Sequence, residues 1–212
     1  MPAKNEDLHG NAPDQCGVAL VLIDVINDME YPGGDELYRN AMPLAPRLAE
    51  LAGRAREAGV PVVYANDNFG KWRSDFREVV RHCLDDDVRG RPFVRQVAPG
   101  ADDYFVLKPK HSAFFATTLQ TLLDYLGARR LVLAGLTGDT CVLLTAGDAY
   151  MRDFHLHVPE DCVASIDADE NARAIEYMRR VLHVDTGPST ELDFVRLAAQ
   201  ADSPGGEAAD ES

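Results

Sequence analysis

Three residues far apart in the chain, Asp24, Lys108 and Cys141, are of the types that together could run nucleophilic chemistry on a carbonyl. A free thiol has a pKa near about 8.5 and is only a few per cent ionised at neutral pH, so a cysteine nucleophile needs a base or a nearby positive charge. An aspartate supplies the first and a lysine the second. Cys141 lies in Gly135-Leu136-Thr137-Gly138-Asp139-Thr140-Cys141-Val142-Leu143-Leu144-Thr145-Ala146-Gly147-Asp148-Ala149, directly after the apolar run Leu131-Val132-Leu133-Ala134. A strand-to-helix turn at that place would aim unpaired N–H groups and the positive end of the helix dipole at the sulfur, which favours a thiolate. The plainer reading of Cys141 is one more buried small hydrophobe, and of Asp24 and Lys108 a turn cap and a solvated charge.

The elements that must position these groups follow from patterning. Val18-Ala19-Leu20-Val21-Leu22-Ile23 is a continuous apolar run, a strand buried on both faces, and Asp24 ends it. Leucine and alanine at helical spacing from Pro43 to Gly59 predict a helix with proline near its start and glycine at its close. Val60–Ala65 reads as a second strand, Arg73–Leu84 as a helix, and Asp103–Leu107 as a strand ending at Lys108. Further helices are predicted at Phe114–Leu126, Cys141–Arg152, Asp169–Leu182 and Thr190–Ala199, with strands at Leu131–Ala134, Phe154–Val158 and Val184–Asp185. Alternating strands and helices predict an α/β fold, a three-layer α/β/α sandwich on a mainly parallel, roughly six-stranded sheet. In such a sheet active groups gather at the C-terminal ends of strands. Asp24, Lys108 and Cys141 each stand at or just beyond one.

The 212 residues, 46% of them hydrophobic, suffice for one domain with a sizeable core, expected over residues 16–200. Residues 1–15 are expected to be a flexible N-terminus and residues 201–212 a disordered acidic tail, because both are polar and small. A formal charge of −14 opposes binding to nucleic acid or to an anionic membrane surface, so the expected partner is a small molecule. No apolar run approaches a membrane span and the first residues carry no signal-peptide core, which fits a cytoplasmic protein. Cys16, Cys83, Cys141 and Cys162 form no CxxC pair and read as free thiols. His155 and His157 would share one strand face, yet two histidines without a third ligand fall short of a metal site. No Gly-rich turn follows the first strand, so no nucleotide cofactor is expected.

With these motifs the chain resembles the isochorismatase-like cysteine hydrolases over roughly Val18 to Thr190. Leu22-Ile23-Asp24-Val25-Ile26-Asn27-Asp28-Met29 looks like the acid motif, Lys108-Pro109-Lys110-His111-Ser112-Ala113-Phe114 like the lysine motif, and Gly135 to Ala149 like the nucleophile motif. The resemblance implies Asp24, Lys108 and Cys141 as the catalytic groups, a thioester intermediate, and backbone N–H groups of Thr137 and Cys141 as the oxyanion hole. Those two donors lie four residues apart yet must face one oxygen. Joined to the resemblance, this need implies a cis Leu136–Thr137 peptide bond. The resemblance also implies a homodimer or larger homo-oligomer. The loop Asn66-Asp67-Asn68-Phe69-Gly70-Lys71-Trp72-Arg73 mixes amide, aromatic and charged groups, and Asn27, Asn68, Phe69, Trp72 and Phe114 are the candidate substrate-binding residues. Two features depart from the family pattern. Gly138 stands where a Thr or Ser is usual, three residues before the cysteine. Asn66-Asp67-Asn68 stands where metal-binding nicotinamidases carry Asp-x-His, which argues against a metal. The expected function is hydrolysis of a small amide, ureide or carbamoyl C–N bond. The alternatives are vinyl ether hydrolysis of the isochorismatase type, disfavoured by retention of Cys141, and a redox-sensing or non-catalytic thiol protein on the same fold.

Overall fold

The computed structural model describes residues 15–68 and 75–201. The expected flexible N-terminus, all but its last residue, the tail beyond Ala201, and Phe69 and Trp72 therefore lie outside the described residues. The strands are β1 (Val18–Ile23), β2 (Val62–Asp67), β3 (Tyr104–Lys108), β4 (Arg130–Leu136), β5 (His155–His157) and β6 (Val163–Ala164). They form one parallel sheet in the order β3-β2-β1-β4-β5, with β6 pairing the far end of β4. The chain runs outward from β1 through β2 to β3 and then returns to lay β4 on the other side of β1. The β1/β4 seam is thus the point where strand order reverses, the place where such sheets open a crevice beyond their C-terminal ends.

All six residues of β1 are buried because helices cover both faces. Leu20 and Leu22 point into the layer built by α1 (Gly34–Ala41), α2 (Ala45–Glu57), α3 (Phe76–Asp85), α4 (Arg91–Val97) and α8 (Phe194–Ala201). Ala19, Val21 and Ile23 point into the opposite layer, with α5 (Leu119–Leu126), α6 (Leu143–Tyr150) and α7 (Ala168–Val181). Each strand residue removed from water by these layers contributes about 25 cal/mol per Å² of apolar area. Among the described residues no helix is long and apolar enough to cross a membrane.

Several boundaries differ from the patterning for identifiable reasons. The helix expected from Phe114 begins only at Leu119, because Ala116 sits at φ 53°, outside the helical region. The helix expected from Cys141 is a π-helical turn, Gly138–Val142, that passes into α6. The third helix starts at Phe76, where the Asp75 carboxylate accepts the Glu78 N–H at 2.8 Å as an N-cap. The strand expected at Val184–Asp185 is a single bridge from Asp185 to His157. Helices α1 and α4 and the two-residue β6 were not among the expected elements, the last two being too short for periodicity to reveal.

Candidate active site

Asp24 follows directly on β1 and adopts φ 51°, a left-handed conformation that costs a non-glycine residue energy and is found at functional sites. The backbone is held there from several sides. The Asp24 N–H donates to the Ala65 carbonyl at 3.0 Å, and the Asp67 N–H donates to Asp24 Oδ1 at 2.7 Å. Just beyond, the fully buried Asn66 accepts the Ile26 N–H at 3.1 Å and donates to the Ile26 carbonyl at 2.8 Å. On the neighbouring strand Gly135 sits at φ 123°, and a Cβ there would lie 2.1 Å from the Ile23 carbonyl oxygen. Glycine at that position lets β4 lie close enough to β1 to bring Cys141 beside Asp24.

Lys108, the last residue of β3, is completely buried, and its ammonium can direct its three protons to three acceptors. Asp24 Oδ2 lies at 2.8 Å, the Lys110 carbonyl at 3.2 Å and Cys141 Sγ at 3.5 Å. Asp67 adds a carboxylate at 3.9 Å. The lysine loop is tied to the nucleophile turn by Thr145, which accepts the Ala113 N–H at 3.0 Å and donates to the Cys141 carbonyl at 2.7 Å. Ser112 adds a hydroxyl bonded to Asp148 on α6. The Leu136–Thr137 peptide bond is cis. The Thr137 carbonyl accepts from the N–H groups of Thr140 and Val142 at 3.3 and 3.0 Å, which wraps the turn around Cys141.

The electrostatics correct one expectation. Burial pushes the Cys141 thiol up to about 12, the Asp24 charge pushes it further, and Lys108 opposes both. Burial and the neighbouring carboxylate thus favour the protonated thiol over the thiolate, with Lys108 acting the other way. Burial also raises the Asp24 carboxyl above its ordinary value even though Lys108 lies against it. Lys108 is raised: burial lowers it, but the Asp24 carboxylate lying against the ammonium outweighs that. A carboxylate of raised basicity that shares the Lys108 ammonium with the thiol is placed to serve as its base. The sign for activity follows. Asp24 must be ionised to accept the proton, so kcat/KM should fall as pH drops through a pKa above the ordinary carboxylate range. A pH–rate profile checks this, and Asp24→Asn should erase that limb.

The other sequence-derived residues separate into different roles. Asn27 is buried at the site's edge, its Oδ1 accepting the Met29 N–H at 2.9 Å. Asn68 is buried beside Lys108, its N–H donating to the Lys108 carbonyl at 3.1 Å. Phe114 packs inward. It is buried in the core, its ring 5.9 Å from that of Phe154 with the Arg152 guanidinium 4.8 Å above it, so it supports the layer beneath the site. The neighbouring Phe115 is the exposed ring, and it lines an apolar groove of about 600 Å³ with Leu144, Met151 and Tyr177. Two residues were missed. His111 places Nδ1 3.7 Å from Cys141 Sγ, and Tyr31, raised chiefly by burial, stands near enough to Asp24 for its charge to raise it further. Each lies within a few residues of a motif position, which was the only signal available. His155 is exposed, and His157 Nδ1 lies 3.2 Å from Asp185 Oδ2, so the two do not converge on one point.

The comparisons with known proteins agree with this geometry. The isochorismatase domain family matches residues 18–187. An uncharacterised isochorismatase family protein of Bacillus subtilis, YaaI, is 37% identical over 167 residues, covering 79% of this chain and 91% of its own. Maleamate amidohydrolase of Pseudomonas putida is 31% identical over 164 residues, covering 71% of this chain and 74% of its own. The crystal structure of N-carbamoylsarcosine amidase from Thermoplasma acidophilum superposes with a TM-score of 0.63 at 30% identity, covering 83% of this chain and 98% of the other.

Proposed function

The chain belongs to the isochorismatase family, and from that premise we propose that it is a cysteine hydrolase cleaving a C–N bond of a small amide, ureide or carbamoyl compound. The observation that carries this reading is the Lys108 ammonium set between Asp24 Oδ2 at 2.8 Å and Cys141 Sγ at 3.5 Å, at the sheet's switch point. Asp24 takes the thiol proton as Cys141 Sγ attacks the carbonyl carbon, and Lys108 balances the negative charge that moves between them. The Thr137 and Cys141 N–H groups receive the oxyanion. Collapse of the tetrahedral species breaks the C–N bond, and Asp24 delivers its proton to the departing amine. A thioester on Cys141 remains. Asp24, ionised again, takes a proton from water as it attacks the thioester carbonyl, then returns it to the sulfur. Amidases among the relatives, acting on maleamate and N-carbamoylsarcosine, support the bond class.

The redox reading loses support from the layering. Cys83 and Cys162 are buried, and Cys16 packs, in the layer opposite the one that contains Cys141, so a resolving thiol would have to come through the sheet. The test of the proposal is a screen of small primary amides, ureides and carbamoyl compounds for ammonia release, with Cys141→Ala as the blank. Release that survives in the blank would remove the cysteine-hydrolase reading. Exhaustive chelation should leave the activity unchanged. The carboxamide of Asn66 is committed to the Ile26 backbone, and among the described residues no group of three or more His, Cys, Asp or Glu side chains is arranged to hold a metal ion. Loss of activity on chelation that zinc or manganese restores would contradict it.

A further inference from the structure

The turn that must aim two N–H groups at one oxygen contains Gly138, a residue with no side chain of its own to hold it. The space beside it is filled from elsewhere. A Cβ on Gly138 would lie 2.1 Å from Asn171 Oδ1 and 2.6 Å from Val163 Cγ1. Asn171, in the first turn of α7, donates from Nδ2 to the Val163 carbonyl on β6 at 3.3 Å and accepts the Ser165 hydroxyl at 2.8 Å. The buried Ser165 hydroxyl in turn accepts the Asp139 N–H at 3.1 Å. A continuous path therefore runs from α7 through Asn171 and Ser165 into the backbone between Thr137 and Cys141.

We propose that Asn171, acting through Ser165, is the positioning residue of the oxyanion turn. Its carboxamide occupies the volume that a side chain on residue 138 would need, and it orients the hydroxyl that draws the Asp139 N–H away from the site. The intervening donor is thereby spent outside the crevice, and a glycine that could otherwise turn freely has one packed arrangement. Donors held before the reaction begins need no reorganisation as charge develops on the oxygen. The role rests on the cysteine-hydrolase reading above, and it deepens that reading by naming what holds the donors.

The test uses a probe that needs no known substrate. Propionaldehyde adds reversibly to a thiol: the carbonyl carbon bonds to Sγ, the carbonyl π pair moves to oxygen, and the thiol proton ends on that oxygen. The oxygen of this thiohemiacetal lies where the oxyanion forms. Iodoacetamide alkylates the same sulfur with loss of iodide and builds no such oxygen. The aldehyde dissociation constant is read from protection of Cys141 against iodoacetamide, followed by peptide mass. Asn171→Ala and Ser165→Ala should each weaken the aldehyde at least fivefold while the alkylation rate without aldehyde stays within twofold of wild type. Gly138→Ala should weaken it as well, and adding Asn171→Ala to Gly138→Ala should restore affinity at least twofold. A smaller change in both single variants overturns the role, as does a parallel fall in alkylation rate, which marks general disruption. Lack of protection in the wild-type chain overturns the hydrolase reading and this role with it.

Discussion

Replacing Cys141 by alanine is expected to lower ammonia release from the best small amide by roughly 10⁴-fold or more, in line with removal of a covalent nucleophile that acts as a unit with its base. The loss follows from the geometry. With the sulfur gone, Asp24 and Lys108 remain paired at 2.8 Å, but neither presents an attacking atom to a carbonyl. The fold should survive, because the side chain is small and its thiol already sits in an environment that resists ionisation. A thermal unfolding curve close to wild type, beside the kinetic loss, checks both halves of the expectation.

Lys108→Met should be damaging in a second way. Lys108 is fully buried and is, among the described residues, the cation paired with Asp24, so its removal strands a buried carboxylate, a change that costs about 3–5 kcal/mol where a buried pair is broken. The penalty has a defined pH dependence. A carboxyl whose folded pKa is raised, as that of Asp24 is, weighs against folding only when ionised. The destabilisation of Lys108→Met should therefore set in as pH rises past the unfolded carboxyl value and be complete above the folded one. In acid, where Asp24 is protonated, it should shrink. Adding Asp24→Asn removes the stranded charge, and the double variant should recover most of the lost stability without regaining activity. Urea unfolding of the three variants across pH reads this directly. Equal destabilisation at acid and neutral pH would show that packing of the lysine stem, and not the charge, was lost.

The sheet was legible in the sequence wherever a strand is covered on both sides. Val18–Ile23 and Leu131–Ala134 are unbroken apolar runs because alternate residues feed two separate layers. The meeting of Asp24, Lys108 and Cys141 was legible from strand ends, since Asp24 follows β1, Lys108 closes β3 and Cys141 lies in the turn after β4. The packing of Phe114 was out of reach, because an aromatic beside a motif looks alike in sequence whether it faces the core or the crevice, and its contacts with Phe154 and Arg152 exist only in the fold. The thiol's protonation state was out of reach too, since it turns on how much water the folded chain excludes. Asn171 carried no signal at all. Its use depends on the empty space beside Gly138, which exists only once β6 and α7 are packed against the turn.

The central claim is that Cys141 Sγ carries the acyl group between cleavage and hydrolysis. Intact mass measurement of the chain quenched in acid during turnover of an active amide tests it most directly. The account predicts a population heavier than the free chain by the acyl group less one proton, located by peptide mass to Cys141, removed by hydroxylamine and missing in Cys141→Ala. An adduct on any other residue, or ammonia release that persists in Cys141→Ala, would contradict it.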